Sequence, residues 1–159
     1  MKIATIDGES QDAKHQKWVE LLSYSHGVSQ QAGGARSTSG AASGGRTDHQ
    51  DFHVTKLLDA ATPKLNLASS NGEHIKEIKI ELCKATKDKE LYMSYVLSDV
   101  IVTSVQVGGS TQGSDVVPIE QVSFNYAKIV WEYKQLDHET GKPIGNVGAN
   151  WSTKENKGS

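Results

Sequence analysis

A single cysteine, Cys83, stands in 159 residues, so no internal disulfide can staple the chain and packing alone must hold its fold. No eighteen apolar residues follow one another anywhere, which excludes a membrane-crossing helix. The opening MKIATIDGES has no apolar stretch long enough for a signal-peptide core, and the expectation is a chain that starts in the cytoplasm. An excess of one charge is missing too. Seventeen lysines and arginines face nineteen aspartates and glutamates, a net charge of -2, and no basic block exists that could displace counterions from a nucleic-acid backbone. Neither nucleic acid nor membrane insertion is therefore expected. A phosphate-cradling GxxxxGK(S/T) loop and a GxSxG nucleophile elbow are also absent, and the GGR and GGS stretches read as loop composition.

What is present is alternation. Apolar and polar residues exchange at period two far more often than they recur at helical spacing, and the length suits one domain with a sizeable core. The expected fold is mainly β: one barrel of antiparallel strands over residues 1 to 159, with a short α-helix on its side and a long extended loop. Ile78, Ile80 and Leu82 share one face of a strand, with Lys79 and Glu81 on the other. Val122, Phe124 and Tyr126 share one parity while Ile129, Trp131 and Tyr133 share the opposite one, which predicts a bulge near Ala127 and Lys128. A similar break around Asp99 interrupts Tyr95 to Val107, as suits a long strand bending around a closed barrel. Thr62 as N-cap, Pro63 at the first helical position and Gly72 at the end mark the helix, with Leu65 and Ala68 on its buried face.

Two segments do not read as regular structure. Residues 30 to 46, QQAGGARSTSGAASGGR, are too rich in glycine and serine to bury a face. They describe either a disordered hairpin tip or a loop that awaits a partner, with Arg36 and Arg46 as its charged side chains. The second segment runs from Leu136 to Ser159 and is polar and punctuated by glycine, and residues 152 to 159 are expected to be a free tail. Trp151 within it either pins the tail to the barrel or waits for a neighbouring subunit.

Sites of chemistry are thin. In DHQDFH, His49, Asp51 and His53 alternate onto one strand face, and two histidines with a carboxylate suit zinc or iron. Same-face residues are nearly 7 Å apart along a strand, so the histidines stand about twice that distance from each other and converge poorly on one ion. His15, His26 and His74 could add ligands only through folding that spacing does not reveal. Cys83 reads as a structural strand residue, and Asp7, Glu9 and Asp12 around Gly8 read as a solvated strand end. No catalytic residue, cofactor or metal is assigned. The strand expected at 18 to 29 places Ser23, Ser25, Gly27 and Ser29 on one face and Leu22, Tyr24 and Val28 on the other. In a monomer that serine stripe would be an ordinary solvent face, and a monomeric β-rich binding module stays open as a reading.

Three blocks carry a resemblance that covers nearly the whole chain: GESQDAKHQKWVELLSYSHGVSQ at 8 to 30, TDHQDFHVTKLLDAATPKL at 47 to 65 and NGEHIKEIKIELCKA at 71 to 85. In this order and separation they resemble the haemolysin-coregulated protein (Hcp) family, the tube subunits of the bacterial type VI secretion system. The resemblance implies a structural subunit without catalysis. Six such subunits close into rings that stack into a tube, which a contractile sheath drives out of the cell, with its spike and effectors, into the medium or a target cell. It further implies that 30 to 46 is the ring-stacking loop, through Gln31, Gly33, Gly34, Arg36, Ser39, Gly44, Gly45 and Arg46. The small polar stripe Ser23, Ser25, Gly27 and Ser29 then faces a lumen able to hold effectors. One departure is a first strand shorter than many family members have, which leaves its pairing and one ring contact open.

Overall fold

The computed structural model describes residues 1–30, 46–85, 89–109, 117–137 and 140–159. Of the stacking-loop residues only Arg46 falls among them; Gln31, Gly33, Gly34, Arg36, Ser39, Gly44 and Gly45 lie outside the described residues.

Among the described residues, ten strands and one helix follow in the order β1 (Lys2–Ile3), β2 (Ser23–Ser25), β3 (Val28–Ser29), β4 (Asp48–His49), β5 (Phe52–Leu57), α1 (Thr62–Asn71), β6 (His74–Cys83), β7 (Leu91–Gly108), β8 (Ile119–Leu136), β9 (Pro143–Ser152) and β10 (Lys157–Gly158). All pairings are antiparallel, and the main sheet runs β1-β6-β7-β8-β5-β2. The barrel's seam, between its edge strands β1 and β2, is bridged by the intervening chain: Val19 donates its N–H to the Met1 carbonyl at 2.7 Å. The short first strand does pair, Lys2 with Lys79 and Ile3 with Ile78. Gly8 lets this segment pass close, since a Cβ there would lie 2.5 Å from the Trp18 carbonyl oxygen.

The interior follows the alternation. Phe52 and Val54, Ile78 and Ile80, and Val122 and Phe124 are buried, each pair from one strand. Leu65 and Ala68 of α1 join them, and α1 lies across β7. Gly72 ends the helix at φ 66°, where its N–H reaches the Ala68 carbonyl, the left-handed stop glycine adopts without a Cβ penalty. Thr62 is not the N-cap. That place falls to Ala61, and the Thr62 hydroxyl is committed to the core network described below.

The parity breaks expected near Asp99 and Ala127 turn out to face each other. The buried face changes from Leu97 to Val100 on β7, from Tyr126 to Ile129 on β8 and from Ile75 to Ile78 on β6. Register holds across all three changes, with Ser98 opposite Lys128, Val100 opposite Tyr126, and Glu77 opposite Ser98. The break is therefore a crease shared by three strands, and not the two-against-one bulge anticipated at Ala127 and Lys128. Asp99 makes the turn at φ 53°, a conformation that aspartate tolerates better than most residues. At the same place β8 changes partner: its Ile119–Phe124 stretch pairs with β5 and its stretch from Lys128 onward pairs with β9. The one register shift between β7 and β8 lies elsewhere, between Val102 and Ser104.

The polar C-terminal segment is not a free tail. Pro143–Ser152 pairs along β8, and Lys157–Gly158 folds back on Ser152 and Trp151. The Ser159 N–H donates to the Asn150 carbonyl, and the Asn150 N–H returns a bond to the Ser159 carbonyl. Backbone pairing supplies the order that the side-chain pattern did not announce.

Candidate assembly surfaces

The serine stripe proves to be part of a larger face. Ser23 and Ser25 lie opposite Thr55 and His53 of β5, which lie opposite Gln121 and Ser123 of β8, which lie opposite Gln106 and Ser104 of β7. Two rows thus cross four strands, Ser25–His53–Ser123–Ser104 and Ser23–Thr55–Gln121–Gln106, on the side away from the buried Val54 and Val122. They contain no carboxylate, lysine or arginine. Ser123 is the hub of the first row, its hydroxyl bonded to Ser104 Oγ and His53 Nδ1 at 2.9 Å each. Gly27 and Ser29 leave this face: the strand expected at 18 to 29 breaks at His26 and Gly27, and Ser29 belongs to the separate β3–β4 hairpin.

That hairpin leads into and out of the segment between residues 30 and 46, and its base is fastened at one atom. The Tyr126 hydroxyl meets His26 Nε2 at 2.6 Å and His49 Nδ1 at 3.1 Å. Trp151 stacks on His49 with ring centroids 6.0 Å apart and planes 17° apart, and packs against the core. Burial pushes both His26 and His49 below the usual histidine range, His26 further opposed by charge on His49. Arg46, at the end of the loop, donates to the Thr153 carbonyl at 2.7 Å. That bond engages one end of a guanidinium that carries five N–H donors.

The metal reading of DHQDFH dissolves in the same geometry. His49 turns to Tyr126 and Trp151, His53 to Ser123, and Asp51 accepts from Thr103 Oγ1 at 2.6 Å and Asn125 Nδ2 at 2.8 Å. The three side chains serve three separate sets of partners. Among the described residues, the grouping with metal-ligand spacing is His15, Glu81 and Cys83.

Apart from Leu22, Tyr24, Val28 and Leu67, the exposed large apolar side chains of the described residues fall in two separate places. Leu57 and Ile119 are register partners at one end of β5 and β8, near Val107 and Val117. Tyr133 and Val147 are register partners towards the other end of β8, with Ile144 nearby on β9.

One feature escaped sequence reasoning entirely. Lys56 and Glu120, register partners on β5 and β8, are both fully buried. Lys56 Nζ reaches Glu120 Oε2 at 2.7 Å and Asp59 Oδ1 at 2.8 Å. It also donates to the Leu57 carbonyl at 2.9 Å, and Thr62 Oγ1 donates to Glu120 Oε2 at 2.6 Å. The network ties two strands to the start of α1. Its signal was available: Lys56 shares parity with Phe52 and Val54, and Glu120 with Val122 and Phe124, so opposite charges sat at inward positions of both strands.

Comparison with known proteins agrees with this architecture. Residues 1–133 match the family described as "Type VI secretion system effector, Hcp". Protein hcp1 of Pseudomonas aeruginosa is 32% identical over 157 residues, covering 98% of this chain and 94% of that protein. A solved structure of a type six secretion system protein superposes with a TM-score of 0.91 at 33% identity, covering 99% of this chain and 96% of the other. Hcp1 from Salmonella typhimurium gives 0.79 at 28% identity, covering 99% and 95%. The chain belongs to the Hcp family, the tube subunits of the bacterial type VI secretion system.

Proposed function

We propose that this subunit closes into six-membered rings whose channel is lined by the β2-β5-β8-β7 face, and that the rings stack through residues 30 to 46. The observation that carries the lumen assignment is the pair of rows described above, eight small or polar side chains without a lysine, arginine or carboxylate. Between Asp51 at one end of the same face and the exposed Leu57 and Ile119 at the other, these two rows wet readily and grip passing cargo weakly, because they themselves offer neither a large apolar side chain nor a fixed charge. The two exposed apolar patches support a head-to-tail ring, in which different surfaces of successive subunits meet and rotation closes the set. Sheath, spike and effector proteins are the partners this role requires. The subunit is made in the cytoplasm and leaves the cell by sheath contraction, and its work is assembly without catalysis.

Native mass spectrometry combined with deletion of residues 32 to 45 tests the assignment. Six-membered rings should persist in the deletion variant while stacking, seen by electron microscopy, weakens. Monomers at micromolar concentration for the intact chain would overturn the ring, and loss of rings on deletion would overturn the division of labour between barrel and loop.

A further inference from the structure

We propose that His15, Glu81 and Cys83 form a zinc-class metal site on the wall of the cleft beneath the N-terminal segment, independent of the assembly role. One coordinating atom from each lies within 4.8 Å of the other two. In a tetrahedral zinc site with bonds of about 2.3 Å to sulfur and 2.0–2.2 Å to nitrogen and oxygen, ligand atoms stand roughly 3.3–3.6 Å apart. Side-chain movement of about an ångström therefore brings the three to an ion. A thiolate, an imidazole and one carboxylate form a borderline-soft set that suits zinc and excludes magnesium or calcium, which take oxygen ligands.

The surroundings are arranged as a ligand's would be. His15 Nδ1 bonds Asp12 Oδ1 at 2.9 Å, which fixes a proton on that nitrogen and leaves Nε2 as the coordinating atom, the outer-carboxylate arrangement of metal-bound histidines. Trp18 meets the His15 ring edge-on at a centroid distance of 4.6 Å and holds its orientation. Lys79 occupies Glu81 Oε1 at 2.6 Å, so Oε2 is the oxygen available, and it now sits 2.8 Å from His15 Nε2. An ion would replace that hydrogen bond. Asp12, His15, Glu81 and Cys83 all line a cleft of about 660 Å³, which leaves a fourth position open to water or an exogenous ligand, as in three-ligand zinc sites. Binding releases the thiol proton of Cys83 and the proton between His15 Nε2 and Glu81 Oε2 to solvent, so affinity rises with pH.

The test uses the full chain, stripped with chelator and titrated with zinc, then separately with cobalt(II). One zinc per chain is expected, with affinity at least tenfold weaker in His15→Gln and in Cys83→Ser, and 10–100-fold weaker in Asp12→Asn through the outer carboxylate. Cobalt should give a thiolate-to-metal charge-transfer band in the wild type that Cys83→Ser lacks. Circular dichroism of the metal-free variants confirms that they fold. The cobalt spectrum of the unaltered chain keeps the proposal testable even where a variant does not fold. No zinc uptake by the wild type, a cobalt spectrum without the thiolate band, or undiminished binding in both folded variants would overturn the site.

Discussion

Replacing Lys56 with methionine removes the cation that pairs with Glu120 inside the barrel. Both side chains are fully buried, and Lys56 Nζ holds Glu120 Oε2 at 2.7 Å. After Lys56→Met the carboxylate keeps the Thr62 hydroxyl at 2.6 Å, while Oε1 has no protein hydrogen-bond partner even in the wild type. A buried ion pair broken from one side costs about 3–5 kcal/mol, because the surviving charge stays desolvated. That is a large share of the 5–15 kcal/mol that typically separates folded from unfolded domains. Removing both charges is a different matter. Lys56→Met with Glu120→Leu should come within about 1 kcal/mol of wild type or exceed it, since apolar replacement of a buried pair is often neutral or stabilising. Glu120→Leu alone should cost less than Lys56→Met, because Lys56 retains Asp59 at 2.8 Å and the Leu57 carbonyl at 2.9 Å. Urea unfolding of the four proteins at one protomer concentration closes the cycle, the fixed concentration being needed because assembly shifts apparent stability. A coupling energy above about 2 kcal/mol is expected. Additive losses, or a Lys56→Met variant within 1 kcal/mol of wild type, would refute the reasoning.

Acid should weaken the hairpin base. Burial holds His26 and His49 below their usual range, so the unfolded chain takes up protons first as pH falls through about 6.5; stability is complete above that value and declines towards the folded values. Unfolding midpoints at pH 7.5 and 5.5 should differ less in His49→Gln than in wild type, and an equal difference in both would contradict the assignment. At the crease, Asp99 combines φ 53° with bonds to His74 and Lys154. Thermal melts should rank wild type above Asp99→Gly, which loses the bonds, and Asp99→Gly above Asp99→Ala, which adds about 1–2 kcal/mol of left-handed strain; the reverse order of the variants would show that strain is not the issue. Gly8→Ala drives a Cβ to 2.5 Å from the Trp18 carbonyl oxygen and 2.7 Å from Val19 Cα. Overpacking of this kind costs about 1–3 kcal/mol, and faster hydrogen exchange at the Val19 amide should accompany it; unchanged exchange would mean the seam yields freely.

The sequence carried much of this architecture in its parity. The face changes around Asp99 and around Ala127 were each legible within one strand, because period-two patterning records which side of a strand is wet. That they lie opposite each other, with Ile75 to Ile78 making a third, was not, because register is a property of pairs. Strand β9 was missed because Gly145 and Gly148 and its polar neighbours erase alternation, leaving backbone pairing to β8 as the ordering force. Lys56 and Glu120 stand at inward positions, but charge is ordinarily a mark of exposure, and only the pairing of β5 with β8 brings the two together. Ser23 and Ser25 share one face of β2 as their spacing implied, yet the rest of that face comes from residues 53 to 123, and Ser29 departs with the hairpin. His15 and Glu81 meet across 66 positions, a distance over which no local spacing rule reports.

The most direct test of the central claim is an electron-microscopy reconstruction of the assembled protein at side-chain resolution. It should show a six-membered ring with Ser25, His53, Ser123 and Ser104 on the inner circumference; the same row on the outer wall, or buried between subunits, would contradict it.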